Sequence, residues 1–249
     1  MEPMLIVSNW KAYVEKLDKA KELVATANRV ARKGGHELVL APPAPFLAFL
    51  ASGKTRAKFA AQNLSLVTAG AHTGEVTAAA VVGAGASYAI VGHSERRAAG
   101  ETDAEVLEKV RHALAHKLTP IVCVGERERD ADARYLSFVR EQLAAVFSPL
   151  TPKERLAVVV AYEPVWAIGK GAGDAITTLD LAEMIAYIRK VLGDYIPGRG
   201  PQKVRILYGG SVEPANIRDL AGGGGIDGFL IGHASADVPT YAALLKALS

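Results

Sequence analysis

The sequence predicts an α/β fold, a single (β/α)8 barrel domain over residues 1–249 with its active site at the C-terminal ends of the strands. Three observations lead to this fold class. Short apolar runs alternate about eight times with amphipathic segments. The 249 residues are 50% hydrophobic and contain no linker, low-complexity tract or shift of composition. The dinucleotide fingerprint that is typical of an open doubly wound sheet is missing after the first run.

The eight apolar runs are the predicted strands. Most are continuously apolar, as expected for parallel strands that are covered on both faces. They are MLIVSNW (4–10), ELVLA (37–41), KFAAQN (58–63), YAIVG (88–92), PIVCVG (120–125), LAVVVAYE (156–163), VRILYGG (204–210) and IDGFLIG (226–232).

The segments between the runs have the pattern of amphipathic helices. In residues 101–118, Thr102 and Glu105 form a capping-box pattern that is followed by an apolar face. A second helix is predicted to follow Thr177 and Thr178 and to stop at Gly193. Helices of this kind would form the outer ring of a barrel.

Composition and charge argue against several classes of protein. The net charge is +3, from 29 basic and 26 acidic residues that are interspersed, so no nucleic-acid partner is expected. The longest uncharged stretch, residues 76–92, is too short to span a membrane, and the N-terminus lacks the pattern of a signal peptide. Cys123 is the only cysteine, which favours a reducing compartment. We therefore expect a soluble cytoplasmic protein that binds neither nucleic acid nor a membrane.

Polar residues follow several strands at the end where a barrel of this kind holds its active site. Four of them can take part in catalysis: Asn9, Lys11, His93 and Glu163. Glycine- and serine-containing turns follow the seventh and eighth strands, at residues 209–211 and 232–235, where this fold usually binds phosphate. A carboxylate, an imidazole and an ammonium would thus converge with two such turns. The sequence predicts a reaction site with a phosphate cradle.

The whole chain resembles the triosephosphate isomerase family. The matching stretches are SNWK (8–11), AAQN (60–63), GAHTGE (70–75), VGHSERR (91–97), PIVCVGE (120–126), AYEPVWAIG (161–169), ILYGGSV (206–212) and IDGFLIGHAS (226–235). AYEPVWAIG, GHSERR and YGGSV in this order are highly specific. The resemblance implies a TIM barrel that interconverts dihydroxyacetone phosphate and D-glyceraldehyde 3-phosphate in glycolysis and gluconeogenesis, without cofactor or metal.

The resemblance also implies a role for each site residue. Glu163 would be the base that moves the proton, and His93 would polarise the substrate oxygens. Lys11 would offset negative charge, Asn9 would position the substrate, and Glu95 matches a supporting carboxylate of the family. The phosphate would rest on backbone N–H groups of Gly169, Ser211, Gly232 and His233.

Elementary chemistry agrees with these roles, for which this family is itself a standard example. Proton abstraction next to a carbonyl needs a base near the carbon and a group that holds the oxyanion. Residues 94–97 predict a helical turn after His93, and a helix N-terminus disfavours the imidazolium. Residues 164–166 would be the stiff hinge of a lid and residues 167–171 its tip, which would exclude water on closing.

Partners follow from the same resemblance. The family usually forms a homodimer, in which the loop at residues 70–75 would reach the partner's active site through Thr73. The small-molecule partner would be a triose phosphate.

The chain departs from the common family pattern at four places. Ser8 replaces the usual glycine, and Ala-Tyr at residues 12–13 replaces a common Met-Asn. An extra glycine in residues 172–174 predicts a looser trailing hinge of the lid and a larger entropy cost of closure. His233 stands where the family usually has a second glycine, so its side chain beside the phosphate would either obstruct a backbone N–H or add a donor. We expect the protein to tolerate His233 and to bind the phosphate with a somewhat altered affinity.

Other motifs have a simpler structural explanation. His112 and His116 have the spacing of metal ligands on a helix, but no third ligand accompanies them. Four glycines at residues 222–225 precede the eighth strand, so they would lie on the face opposite the site, as a flexible connection.

Two other functions stay open at this point: another phosphosugar isomerase on the same fold, and a catalytically weak barrel scaffold. Other phosphosugar isomerases do not combine Glu163, His93 and Lys11, and an intact set of these three argues against a scaffold.

Overall fold

The computed structural model describes residues 3–31, 35–169 and 176–248. Within them, the strands form one closed barrel in which every neighbouring pair is parallel and the strands follow chain order. The strands are Leu5–Asn9 (β1), Glu37–Ala41 (β2), Lys58–Ala61 (β3), Tyr88–Val91 (β4), Thr119–Val124 (β5), Val159–Tyr162 (β6), Ile206–Tyr208 (β7) and Gly228–Ile231 (β8). The predicted (β/α)8 barrel is confirmed, whereas its extent as one domain over residues 1–249 stays a prediction.

Helices surround this barrel. In the described residues they are Leu17–Ala31 (α1), Ala44–Ala51 (α2), Ala78–Gly83 (α3), Ser94–Ala98 (α4), Asp103–Ala115 (α5), Arg134–Phe147 (α6), Pro152–Arg155 (α7), Thr178–Gly193 (α8), Ile217–Gly223 (α9) and Val238–Ala247 (α10). The capping box predicted at Thr102 is present, since its side chain accepts the Glu105 N–H and the Glu105 side chain accepts the Thr102 N–H. The helix expected after Thr177 and Thr178 begins one residue earlier, at Thr178, and ends at Gly193 as predicted.

The core has two layers because successive strand residues point to opposite faces. On β1, Leu5 and Val7 belong to the cluster inside the barrel, whereas Ile6 belongs to the cluster between strands and helices. Both clusters are buried, which explains why the strands are continuously apolar in sequence.

Glu37 closes the N-terminal end of the barrel, opposite the expected site. Its carboxylate accepts hydrogen bonds from Lys58 Nζ at 2.8 Å, Tyr88 Oη at 2.6 Å and Arg205 Nη1 at 2.7 Å. Burial raises the pKa of Glu37, but these donors outweigh it and lower the pKa to about 2. Glu37 therefore stays ionised and ties together β2, β3, β4 and the residue that precedes β7.

Ser8 points away from the barrel interior toward α10. Its Oγ donates to the Tyr241 Oη at 2.9 Å, and both residues are fully buried. Burial raises the pKa of Tyr241 to about 12, against the opposing effect of the Ser8 hydrogen bond. The hydroxyl of Ser8 thus gives a buried phenol its partner, one residue before Asn9 at the active-site end.

Candidate active site

The C-terminal strand ends surround a cavity of about 300 Å³. Eight of the predicted site residues line it: Asn9, Lys11, His93, Glu163, Gly169, Ser211, Gly232 and His233. Glu95 does not line the cavity and contacts it through Lys11. Tyr13 and Glu213, which were not predicted as site residues, also line the cavity.

Glu163 follows β6 and is 2% exposed. Its Oε2 accepts the backbone N–H of Ser94 at 2.9 Å, and its Oε1 lies 3.1 Å from His93 Nε2. Glycine at position 209 makes room for it, since a Cβ there would lie 2.9 Å from Glu163 Cγ. Gly125 is required for the same reason, because a Cβ there would lie 1.8 Å from the Glu163 carbonyl oxygen. The carboxylate is therefore buried, oriented by two partners and enclosed by glycines.

His93 caps the N-terminus of α4, as its position predicts. Its Nδ1 accepts the backbone N–H of Glu95 at 3.2 Å, so Nδ1 carries no proton in this arrangement. The single ring proton is then on Nε2, which faces Glu163 Oε1. The geometry thus corresponds to a neutral imidazole whose N–H points into the site.

Lys11 carries the ammonium of the site. Its Nζ donates to Glu95 Oε1 at 2.6 Å, and its backbone N–H donates to Asn9 Oδ1 at 3.1 Å. Its φ of 46° is in the left-handed region, which is uncommon for a residue with a side chain and is found at functional sites. Gln62 Nε2 supports this conformation by donating to the Lys11 carbonyl at 2.9 Å.

The charge of Lys11 affects the pKa of Glu95. Burial raises the pKa of Glu95, but the hydrogen bond and charge of Lys11 outweigh it, so the pKa is lowered overall. Gly232 lies close to the same side chain, since a Cβ there would approach Lys11 Cε to 3.3 Å. The ammonium therefore contacts an ionised carboxylate, next to a glycine of the β8 turn.

Two turns also line the cavity. Ser211 follows β7, and its Oγ donates to the Ala167 carbonyl at 2.8 Å. Gly232 follows β8 and precedes a 3-10 helix, His233–Ser235. Ser235 is fully buried and donates through Oγ to the carbonyls of Ile231 and Gly232, both at 2.8 Å. The structure brings the two predicted phosphate turns to one cavity.

The predicted hinge after Glu163 is anchored on Glu126, which is 1% exposed. Its Oε1 accepts from Trp166 Nε1 at 2.8 Å, Tyr162 Oη at 2.9 Å and Arg129 Nε at 3.3 Å. The Arg129 guanidinium also lies over the Trp166 ring, 5.1 Å from its centroid. The lid tip beyond Gly169 and the trailing hinge at residues 172–174 lie outside the described residues.

The loop at residues 70–75, including Thr73, is exposed along its length and does not line the cavity. Within the part of the chain that the structure describes, no group of three or more His, Cys, Asp or Glu side chains is arranged to hold a metal ion. None of the described helices is long and apolar enough to cross a membrane.

Comparison with known proteins agrees with the sequence resemblance over the full length. The model of the family "Triosephosphate isomerase" matches residues 4–248. The chain is 41% identical to a triosephosphate isomerase of Symbiobacterium thermophilum, over 99% of this chain and 97% of that protein. It is 39% identical to one of Roseiflexus castenholzii, over 100% and 99%, and 38% identical to one of Rhodopirellula baltica, over 98% and 97%. On this evidence, the chain belongs to the triosephosphate isomerase family and is an intramolecular aldose–ketose isomerase.

Proposed function

We propose that the chain interconverts dihydroxyacetone phosphate and D-glyceraldehyde 3-phosphate through an enediolate, with Glu163 as base and His93 as proton donor to the substrate oxygens. The observation that carries this assignment is the pairing of Glu163 Oε1 with His93 Nε2 at 3.1 Å, in a cavity that is also lined by two turns of the phosphate-binding type. A base next to an N–H donor is what proton transfer beside a carbonyl requires.

Substrate binding replaces the contact between Glu163 and His93. The Glu163 carboxylate then takes a proton from one carbon of the substrate, and the electron pair of that C–H bond moves toward the carbonyl oxygen. The Nε2–H of His93 hydrogen-bonds to this oxygen as it gains negative charge, because its Nδ1 is occupied as an acceptor by the Glu95 N–H. This oxygen takes the Nε2 proton of His93, and the imidazole recovers a proton from the neighbouring hydroxyl, whose oxygen becomes the new carbonyl oxygen. Glu163 returns its proton to the former carbonyl carbon, which completes the exchange of aldehyde and ketone.

Lys11 balances the negative charge of the phosphate and of the enediolate. Without substrate, Glu95 neutralises its ammonium at 2.6 Å. Asn9 positions the substrate and also accepts the Lys11 backbone N–H, which couples these two residues. Backbone N–H groups of Gly169, Ser211, Gly232 and His233 bind the phosphate, and closure of the lid excludes water from the enediolate.

The active form is a homodimer in the cytoplasm. Exposure of the whole loop at residues 70–75 supports this, together with Leu66, Val76 and Val82 near it in the chain, each 40% exposed. A groove of about 780 Å³ beside this loop offers room for a segment of a partner. A single buried cysteine, Cys123, and the glycolytic reaction favour the cytoplasm.

The test compares three proteins in the conversion of D-glyceraldehyde 3-phosphate: wild type, Glu163→Asp and Glu141→Asp. The first variant keeps the charge and withdraws the carboxylate by about one methylene, so we expect a loss of turnover on the order of a hundredfold. The control makes the same change at an exposed position of α6 and should match the wild type. Absence of wild-type turnover, or equal turnover of all three proteins, would contradict the proposal.

A further inference from the structure

Two aromatic side chains contact each other beside the turns that are proposed to bind phosphate. The ring centroids of Tyr13 and His233 are 5.1 Å apart, and their planes meet at 83°, an edge-to-face arrangement. Both residues line the 300 Å³ cavity that also contains Lys11 and Ser211. Tyr13 is 50% exposed, so this contact is not a consequence of burial in the core.

The two residues come from distant parts of the chain. Tyr13 follows β1 and His233 follows β8, so positions that lie 220 residues apart meet as one contact in the fold. A change in one ring would therefore affect the position of the other.

The backbone accepts a side chain at position 233 without strain. His233 begins a 3-10 helix and does not have a positive φ, unlike Lys11. At Gly232, by contrast, a Cβ would crowd Lys11 Cε at 3.3 Å. The side chain of His233 thus extends from one of the two proposed phosphate-binding residues of the β8 turn, which places an imidazole beside the same anion.

The charges around this imidazole leave it available to an anion. On the cavity side the charged residues are Lys11, Glu163 and Glu213, of which Glu163 already contacts His93 and the Ser94 N–H. Outside the cavity lining, Asp237 is near enough to interact with His233, and Lys19 interacts with Asp237. The Asp237 carboxylate already caps α10 by accepting from the Thr240 N–H at 3.1 Å and from its hydroxyl at 2.7 Å. An N–H of the imidazole is therefore a suitable additional donor to a phosphate oxygen.

We propose that the His233 side chain contacts the phosphate group of the substrate and that Tyr13 is the positioning residue that holds its ring toward the cavity. This inference rests on the proposed function, because it concerns the phosphate end of the same site.

The test measures binding of inorganic phosphate by calorimetry in a double-mutant cycle. His233→Ala removes the imidazole and keeps a Cβ, and Tyr13→Leu removes the ring and keeps apolar bulk. We expect His233→Ala to weaken phosphate binding roughly two- to tenfold, the range of one modest contact. Tyr13→Leu should weaken it in the same direction and should have no further effect in the His233→Ala background.

A conservative variant distinguishes the loss of His233 positioning from a general loss of structure. Tyr13→Phe keeps the edge-to-face contact and should bind phosphate as the wild type does. In isomerase assays, His233→Ala and Tyr13→Leu should raise KM by the factor seen for phosphate and change kcat little, since a contact made equally in ground and transition states affects KM. Sedimentation of each variant at the assay concentration controls for assembly.

Phosphate binding by His233→Ala that equals or exceeds that of the wild type would overturn the proposal, because the imidazole would then be neutral or obstructive. Independent, multiplying effects of the two substitutions would overturn the role of Tyr13. Because inorganic phosphate binds without turnover, these measurements test the roles of His233 and Tyr13 even in a protein that lacks isomerase activity. Normal isomerase activity with unchanged phosphate binding in all variants would remove this inference and leave the proposed function intact.

Discussion

Gly209→Ala tests how closely the position of Glu163 controls turnover. Gly209 does not have a positive φ, so alanine is compatible with its backbone. The added Cβ would lie 2.9 Å from Glu163 Cγ and 3.5 Å from its Oε1. Since carbon atoms pack at about 3.5–4.0 Å, the side chain of Glu163 must move by about 0.6–1 Å.

A displacement of this size is costly for a base. Misplacement by about 1 Å can lower a rate on the order of a hundredfold, so we expect kcat to fall roughly 10- to 100-fold, or about 1.4–2.7 kcal/mol in activation free energy. Stability should change little, because the next nearest atom, the Tyr162 carbonyl oxygen, would be 3.4 Å from the Cβ. The assay is initial-rate isomerisation of D-glyceraldehyde 3-phosphate, with circular dichroism and thermal unfolding on the same samples.

Gly222→Ala is the matched control, since a Cβ at this position in α9 meets no atom within 4 Å. It should keep full activity. Turnover of Gly209→Ala within twofold of the wild type would refute the reasoning, because the base would then tolerate the displacement. A Gly209→Ala protein that is unfolded would refute it equally, since the methyl group would then act on folding.

Three further predictions concern stability and assembly. Ser8→Gly should lower the free energy of unfolding by about 1–2 kcal/mol, because the buried Tyr241 hydroxyl loses its partner, and Tyr241→Phe in the same background should recover part of the loss; urea unfolding measures both. Glu37→Gln should destabilise the protein by about 1–2 kcal/mol at pH 7, after allowance for solvent screening of a partly exposed group. Because the folded pKa is lowered to about 2, the contribution of Glu37 is complete above pH 4.5 and is lost as the pH falls toward 2, so the difference between wild type and variant should shrink over that window. Thr73→Arg should place a charge in the proposed dimer contact and shift the protein toward monomers of low activity in sedimentation experiments.

Each of these has a result that contradicts it. A greater loss in the Ser8→Gly, Tyr241→Phe double variant than in Ser8→Gly alone would place the cost outside the hydroxyl pair. A stability difference for Glu37→Gln that stays constant down to pH 2.5 would contradict the lowered pKa. An active dimer of Thr73→Arg would remove the loop from the proposed interface.

The barrel could be predicted because its physical cause is visible in the chain. Strands buried on both faces are continuously apolar, and this pattern located all eight strands. The ends of the strands were predicted less accurately. The strand predicted at residues 58–63 (KFAAQN) ends at Ala61, and the strand predicted at residues 156–163 (LAVVVAYE) begins only at Val159. Apolar residues outside a ladder are buried as well, so hydrophobicity alone does not fix where pairing stops.

The four glycines at residues 222–225 were predicted as a flexible connection, and the structure corrects this for two of them. Gly222 and Gly223 belong to the last turn of α9. A Cβ at Gly224 would lie 2.7 Å from both a Leu181 methyl carbon and the Leu220 carbonyl oxygen. These contacts come from α8 and α9, and a local sequence pattern does not contain that information. As predicted, the glycines precede β8 and lie away from the site.

The position of the site could be predicted from the polar residues at strand ends, because the fold itself fixes which end is functional. Tyr13 was noticed only as a departure from the family pattern. Its place in the cavity depends on the turn after β1 and on the left-handed conformation of Lys11, which no periodicity signals. Glu213 carried no sequence signal at all, since an acidic residue in a polar turn is ordinary.

The convergence of three donors on one oxygen of Glu126 has a consequence for how this enzyme can change over time. Strand β6, the hinge and the loop after β5 all meet at that atom. Any movement at the hinge must therefore rearrange hydrogen bonds at a carboxylate that does not line the cavity. A substitution among these partners would alter the rate of the proposed lid movement while Glu163 and His93 keep their places. Evolution toward a different flux or growth temperature could therefore act on the partners of Glu126 without changing the residues that react with the substrate.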